Sequence, residues 1–285
     1  MKNNPISGKT KMIAVFGWPL TYTLSPAFQN AGLAAIGMDA AYVPLAVETG
    51  PGFRALFKAL GAAPHFLGGN VTNPHKLEAF KLAQSLTPEA RAIGAVNTLY
   101  RREGKWIGHN TDAAGFLAAL KAEGWSLRGR KVLLLGAGGA ARGLVFACLK
   151  AGAKQLVLAS RRPAQGAALR RHFGAQANKI ELAALKPGSM TALFDSADVL
   201  VNCVPGSDFA EQAAKALSTV KGRKIICDIS YIPKQNAWLS MARKKGHTAV
   251  DGLGMLLEQG CLSFAYWTGK KAPRTIMRNA LIKAS

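Results

Sequence analysis

Two short stretches of this chain hold residue types suited to chemistry rather than packing. The first is GAGGAA, from Gly136 to Ala141, which fits G-x-G-x-x-G/A through Gly136, Gly138 and Ala141. Gly136 permits a tight turn, Gly138 lets the backbone approach a pyrophosphate, and Ala141 is small enough for a helix to pack closely on a strand. Gly139 and Ala140 open that helix, whose free N–H groups and dipole favour phosphate. The motif is weak alone. Here an apolar run, Val132 to Leu135, precedes it and a helical pattern follows, which is the βαβ setting a dinucleotide site needs. An acidic residue roughly 20 positions on, at the end of the second strand, would favour NAD. This chain has Ser160, Arg161 and Arg162 there. Guanidinium groups form charge-assisted hydrogen bonds with a 2′-phosphate that a carboxylate would repel. The expected cofactor is NADP (NADPH).

The second stretch is GGNVTNPHKLE, residues 68 to 78, where an apolar run ends in asparagines, a proline and then Lys76. A lysine on a turn is ordinarily solvated; proton transfer is the alternative, and residue type alone leaves both open. Asp112, near the start of TDAAGFLAALKAEG, reads most simply as a helix N-cap, a role Thr111 could equally fill.

Both stretches need elements to hold them. In the first 110 residues, MIAVFG, AYVPLAV and FLGGNV read as strands. SPAFQNAGLAAIG reads as a helix, with Ser25 as N-cap and Pro26 at its first position. Strands alternating with helices predict a largely parallel α/β layer. The Asp112 helix, stopped by Gly124, leads out of this unit. A second βαβ series then runs through KVLLL, QLVLAS, DVLVNCV and KIICDIS, the pattern of one Rossmann domain. A long apolar helix, GMLLEQGCLSFAYWTG, and a short last one follow and are expected to pack back on the first domain. The predicted fold is therefore two α/β domains with returning C-terminal helices. Residues 1–112 form the substrate-binding and catalytic domain, 113–246 the NADP-binding Rossmann domain, and 247–285 the helices.

Composition excludes several classes. With 285 residues, 49% apolar and 18% charged, the chain is globular. No apolar run approaches the ~18 residues of a membrane helix. The N-terminal MKNNPISGKTKM reads as a frayed tail, because Gly17 and Pro19 cut short the apolar stretch after it. Four dispersed cysteines and five dispersed histidines show no metal spacing, which fits a reduced, cytoplasmic protein without a metal. The formal charge of +22 arises from small scattered groups, such as RGRK at 128 and RKK at 243. None is interleaved with aromatics, so solvated surface or a field attracting anionic ligands is expected, not nucleic-acid binding. Monomer and homodimer are both compatible with the chain.

Six motifs occur in an order that composition does not explain. GWPLTYTLSPAFQN, NVTNPHK, GAVNTL, GHNTDAAG, the glycine-rich turn and DGLGMLLEQG together resemble the shikimate/quinate dehydrogenase family across residues 12 to 282. The resemblance implies reversible reduction of 3-dehydroshikimate to shikimate, usually with NADPH, in the aromatic amino-acid pathway. It implies that Lys76 is the catalytic lysine and Asp112 the aspartate paired with it. Asn70 and Asn97 would hold ring hydroxyls, with Thr72 and Gln259 completing the pocket, and Thr23 and Ser25 would bind the substrate carboxylate. NCVPGS and DISYIPKQN resemble later cofactor-domain motifs, which would bring Val204 and Ile229 to the nicotinamide; Gly252, in the closing motif, joins that cofactor set.

These residues suit the chemistry. Oxidising a ring alcohol removes the hydroxyl proton as hydride leaves, and a lysine beside a carboxylate can hold that hydroxyl and exchange the proton. A polyol needs several fixed amides, because a buried hydroxyl left unpaired is costly. The chain departs from the family at Tyr22-Thr23-Leu24-Ser25, where His-Ser-x-Ser is usual, and at Asn73, where an apolar residue is common. Thr23 keeps a hydroxyl but adds a methyl group, near the end of the ring where shikimate and quinate differ. A quinate/shikimate dehydrogenase of broader substrate or cofactor range is therefore the alternative enzyme. A sensor that binds such acids and nucleotides without turnover is the alternative outside catalysis.

Overall fold

The computed structural model describes residues 6–204, 206–231 and 236–285. Residues 1–5 of the expected tail, Pro205 of NCVPGS and residues 232–235 of DISYIPKQN lie outside the described residues. The chain divides into two compact units, one made of Met1–Gly115 and Leu256–Ser285 and the other of Phe116–Met255.

The first unit is built on a six-stranded sheet, β1 (Lys11–Gly17), β2 (Ala40–Ala46), β3 (Phe66–Val71), β4 (Ser85–Leu86), β5 (Thr98–Arg102) and β6 (Lys105–His109), in the order β2-β1-β3-β5-β6-β4. The three expected strands are β1 to β3, and they are parallel, as read from their strand–helix alternation. The rest of the sheet was not foreseen and makes it mixed. β5 runs antiparallel to both β3 and β6. The β5–β6 hairpin turns at Glu103 and Gly104, both with positive φ, 53° and 75°. Such a two-residue turn usually announces itself as Asn-Gly or Asp-Gly, so Glu-Gly gave little signal.

Helix Ser25–Ala35 starts one residue earlier than expected. Its N-cap is Leu24, without a side-chain cap bond, and Ser25 is already helical and buried. Pro26 sits in the first turn, as the sequence indicates. The last helix, Arg274–Ala284, packs on this one: a side chain on Gly32 would meet Met277 and, from helix Gly252–Thr268, Phe264. The core beneath the sheet is aromatic. Phe16, Phe53, Phe57, Phe66 and Trp106 interlock, and the Phe53 ring lies stacked on His75, 4.6 Å away.

The second unit holds β7 (Lys131–Leu135), β8 (Gln155–Ser160), β9 (Ile180–Ala184), β10 (Val199–Asn202), β11 (Ile225–Asp228) and β12 (Thr248–Val250). Their spatial order is β12-β11-β10-β7-β8-β9, all parallel, the doubly wound dinucleotide topology with its switch point between β7 and β10. Two boundaries differ from the sequence reading. β12 pairs with β11, so this unit runs on through Met255 rather than ending at 246. The strand is three half-buried residues long and carries no alternation to betray it. At the other end the division falls inside helix Asp112–Ala122, after Gly115, rather than at its start.

Parallel pairing also gathers basic groups that look scattered in sequence. Arg128, Lys154, Lys179, Lys221 and Arg223 precede four strands, Lys131 opens β7, and all are exposed at the sheet's N-terminal edge. The cofactor turn follows a strand and therefore lies at the opposite edge. No helix of the described residues is long and apolar enough to cross a membrane.

Phe53 tests the aromatic core. Phe53→Ala leaves a cavity between β1 and His75 and is expected to cost about 3–5 kcal/mol. Urea denaturation checks this; a loss under about 1 kcal/mol would mean that the core re-closes and does not hold His75 in place.

Candidate active site

Lys76 is the first residue of helix Lys76–Leu82. A cation there opposes the helix dipole, so this placement needs a compensating anion. Asp112 supplies it. Lys76 Nζ donates to Asp112 Oδ2 at 2.6 Å, with side chains only 11% and 6% exposed. The ammonium makes no other hydrogen bond among the described residues. The neighbouring His75 is pinned by Phe53 and by a 2.6 Å contact of Nε2 with the Val47 carbonyl.

Asp112 is the first residue of its helix, and its two carboxylate oxygens meet Lys76 and Asn97. Its backbone N–H donates to Asn110 Oδ1 at 3.0 Å, which frees the carboxylate for other partners. Asp112 Oδ1 accepts from Asn97 Nδ2 at 2.8 Å. The same amide group donates to Thr111 Oγ1 at 2.9 Å, while Asn97 Oδ1 accepts from the Thr111 N–H at 2.8 Å. Asn97 thus fixes both the carboxylate and the turn that carries it.

Asn70, at the end of β3, joins the same cluster. Its Nδ2 donates to the Asn97 carbonyl and to Ser263 Oγ, each at 3.1 Å, and its Oδ1 accepts from the Tyr42 hydroxyl at 2.7 Å. Gln259 lies near, its Oε1 at 3.4 Å from Asn97 Nδ2 and 3.5 Å from Thr111 Oγ1, at the limit of hydrogen bonding. Four of the residues named from the sequence, Lys76, Asp112, Asn70 and Asn97, are therefore joined by hydrogen bonds, and Gln259 adjoins them.

Among the described residues, Thr23, Ser25 and Thr72 form no hydrogen bond with these four. Thr72 directly follows β3, its N–H donating to the Phe16 carbonyl. Thr23 and Ser25 follow β1, and the Ser25 N–H reaches Thr23 Oγ1 at 3.4 Å. Because β1 and β3 are parallel, these three residues lie at the edge where Asn70 and Lys76 stand.

Sequence reasoning missed Tyr42, Thr98 and Ser263, and gave Asn110 no part. Ser263 is buried and lies four residues after Gln259, on the same helix face, donating to its carbonyl at 3.0 Å. That spacing was a readable signal. Tyr42 gave none, being one polar group in an apolar strand.

The second unit holds the remaining candidates. Gly136 turns the chain after β7 with φ +102°, and Val204 stands against it: a side chain on Gly136 would meet Val204 Cγ2 at 3.1 Å. Gly138 is the N-cap of helix Gly139–Lys150, and a Cβ there would project into open space over the helix N-terminus. Ala141 is fully buried. A backbone turn left bare above free N–H groups fits a pyrophosphate. Ser160 ends β8, and its Oγ accepts the Arg162 N–H at 3.1 Å. Arg161 and Arg162 are exposed and in no ion pair among the described residues, so both guanidiniums are available to a 2′-phosphate. Gly252 packs on the Ile229 carbonyl, with no room for a side chain. Among the described residues no group of His, Cys, Asp or Glu could hold a metal.

A dinucleotide-binding Rossmann unit, with a lysine–carboxylate pair set among amides in the other unit, defines a nucleotide-dependent enzyme of the dehydrogenase kind. The comparisons with known proteins narrow this. Residues 15–99 match the shikimate dehydrogenase substrate binding domain, 252–282 the shikimate 5′-dehydrogenase C-terminal domain, and 132–252 a saccharopine dehydrogenase NADP binding domain. The shikimate dehydrogenase (NADP(+)) of Geobacter metallireducens is 37% identical, over 98% of each chain. That of Citrifermentans bemidjiense is 38% identical, over 97% of this chain and 96% of its own. The Thermus thermophilus enzyme, solved with NADP(H) and shikimate, superposes with a TM-score of 0.81 at 33% identity, covering 97% of this chain and 100% of its own. The chain belongs to the shikimate dehydrogenase family.

His109 offers a pH test of this neighbourhood. Its carbonyl receives the Asn97 N–H, Thr87 Oγ1 lies 2.7 Å from its Nδ1, and Tyr266 packs on its ring. Burial pushes its pKa below the ordinary 6.5, against an opposing pull from Glu89. As pH falls through 6.5 the unfolded chain takes up a proton that the folded chain refuses, so stability should fall with pH and level off below the folded value. His109→Asn should shrink this fall in urea midpoint between about pH 7.5 and 5.5. Identical profiles for both proteins would exclude His109 as the source.

Proposed function

We infer that this chain is an NADP-dependent shikimate dehydrogenase, which interconverts 3-dehydroshikimate and shikimate in the chorismate pathway to aromatic amino acids. The observation that carries the reading is the Lys76–Asp112 pair. Nearly enclosed, its ammonium has one partner among the described residues, which leaves N–H groups for a substrate hydroxyl.

Lys76 would hold the reacting oxygen and exchange its proton, donating to the developing alkoxide during reduction and receiving the proton during oxidation. Asp112 Oδ2 orients the ammonium, and Asn97 orients Asp112 in turn. Asn70, Thr72, Asn97 and Gln259 would receive the other ring hydroxyls, and Thr23 and Ser25 the carboxylate. NADP, when bound, supplies the hydride donor or acceptor of its nicotinamide ring. On this reading Gly136 to Ala141 hold the pyrophosphate, Ser160, Arg161 and Arg162 the 2′-phosphate, and Val204, Ile229 and Gly252 border the nicotinamide. We also propose a cytoplasmic location, which suits the buried reduced thiols Cys148 and Cys227.

A second reading rests on Thr23. Its extra methyl group alters the carboxylate end of the pocket, and one methyl group shifts discrimination by roughly 1–3 kcal/mol. Broader use of quinate would follow from that change.

Initial rates with shikimate and quinate, each with NADP and NAD, test both readings. Strong preference for shikimate with NADP is expected; equal or better quinate turnover would move the chain to the broader branch. Lys76→Ala should lower kcat about 10²–10⁴-fold while shikimate still binds by calorimetry. Unchanged kcat would remove Lys76 from the chemistry, and the absence of any wild-type turnover would favour a ligand sensor.

Replacing both Arg161 and Arg162 with alanine should raise KM for NADP at least ~10-fold, since each hydrogen bond to a charged group is worth about 1.5–3 kcal/mol. KM for NAD should barely change. A parallel rise for both cofactors would show that these arginines do not read the 2′-phosphate.

A further inference from the structure

Asp228 ends β11 and is 2% exposed, yet it forms no ion pair among the described residues. A buried carboxylate without a cation is costly unless hydrogen-bond donors converge on it. Three do. Asn202 Nδ2 donates at 3.0 Å, Asn236 Nδ2 at 2.6 Å and the Ser230 N–H at 2.8 Å.

Each donor ties down a separate piece of the sheet's C-terminal edge. Asn202 ends β10 and clamps Val204 from both sides, its Oδ1 accepting the Val204 N–H at 2.8 Å and its Nδ2 reaching the Val204 carbonyl at 3.1 Å. Its own carbonyl accepts the Ile229 N–H at 3.1 Å. Ser230 follows Ile229 directly, and its carbonyl accepts the Gly252 N–H at 3.2 Å. Asn236 caps helix Ala237–Lys244 through the Trp238 N–H. One carboxylate therefore sets the positions of Val204, beside the Gly136 turn, and of Ile229, against Gly252.

We propose that Asp228 is a positioning residue for the nicotinamide half of the cofactor, acting through the segments of Val204 and Ile229. The proposal rests on the NADP reading above. The arrangement requires a carboxylate at this position. Two side-chain amides and one backbone amide all donate to it, so an amide at 228 would set an N–H₂ group against one of them and lose that bond.

The test is Asp228→Asn, with Asn236→Ala as a second variant that keeps the carboxylate but removes one donor. Calorimetry measures Kd for NADP and for 2′,5′-ADP, which carries the 2′-phosphate and lacks the nicotinamide; kcat and KM for shikimate are read alongside. NADP affinity should fall about tenfold in Asp228→Asn, with a drop in kcat, while 2′,5′-ADP affinity and KM for shikimate stay within about twofold. Asn236→Ala should show a smaller change with the same split. Equal weakening of both nucleotides would mean general loosening of the sheet, and no change in either would mean no role; each overturns the proposal. If Asp228→Asn does not fold, an Asn236→Ala protein with unaltered NADP affinity overturns it as well. Wild-type protein that binds neither nucleotide would remove the NADP reading itself, and this proposal with it, a result separable from any behaviour of the variants.

Discussion

A lysine ammonium taken largely out of water requires an anion, and that anion requires donors of its own. The 2.6 Å contact between Lys76 and Asp112 sets this constraint, and the polar interior of the first unit can be understood as its consequence. Coulombic attraction between two desolvated charges does not by itself offset their desolvation; the remaining lone pairs must also be satisfied. Asn97 meets one of them, and Thr111, Thr98 and Ser263 hold Asn97 and Asn70 in turn. A network in which every member is satisfied is rigid, whereas a half-satisfied one is worse than an apolar core. The aromatic wall behind it, from Phe16 through Phe53 to His75, supplies shape without competing donors.

The second unit meets a comparable demand by topology. Where β7 and β10 lie side by side and the chain departs in opposite directions, the strand ends leave a crevice edged by backbone. On the proposed reading, bare glycine above a helix N-terminus would provide the anion site, and the exposed arginines after the neighbouring strand would extend it. The buried Asp228 sits one strand further along the same edge. The same chain thus uses carboxylates in two ways, one paired with a cation and one held, among the described residues, by neutral amides alone.

Legibility in the sequence followed the range of the signals. The parallel strands and the glycine turn were readable because each is local: an apolar run, a breaker, a helical period. Lys76 and Asp112, 36 positions apart, say little individually, and ordered family motifs linked them. The β5–β6 hairpin escaped because Glu103 takes a positive φ usually signalled by Asn or Gly. Tyr42 and Thr98 escaped because their work is tertiary: a single hydroxyl in a strand acquires meaning only through the residue opposite. Asp228 escaped for the same reason, its two side-chain donors being 26 and 8 positions away.

The first unit is discontinuous in the chain, since Leu256–Ser285 belongs with Met1–Gly115. During synthesis, the N-terminal segment leaves the ribosome well before the helix bearing Gln259 and Ser263. Asn70 and Thr98 then lack the Ser263 hydroxyl that joins them, and the Leu99 carbonyl waits for the Trp267 indole N–H, which reaches it at 2.9 Å. The Rossmann segment is meanwhile continuous and can fold as it emerges. Chain order therefore completes the continuous unit before the discontinuous one, and a chain stalled before its final helices would hold a complete Rossmann segment while the Asn70–Thr98 cluster still lacked its closing hydroxyl.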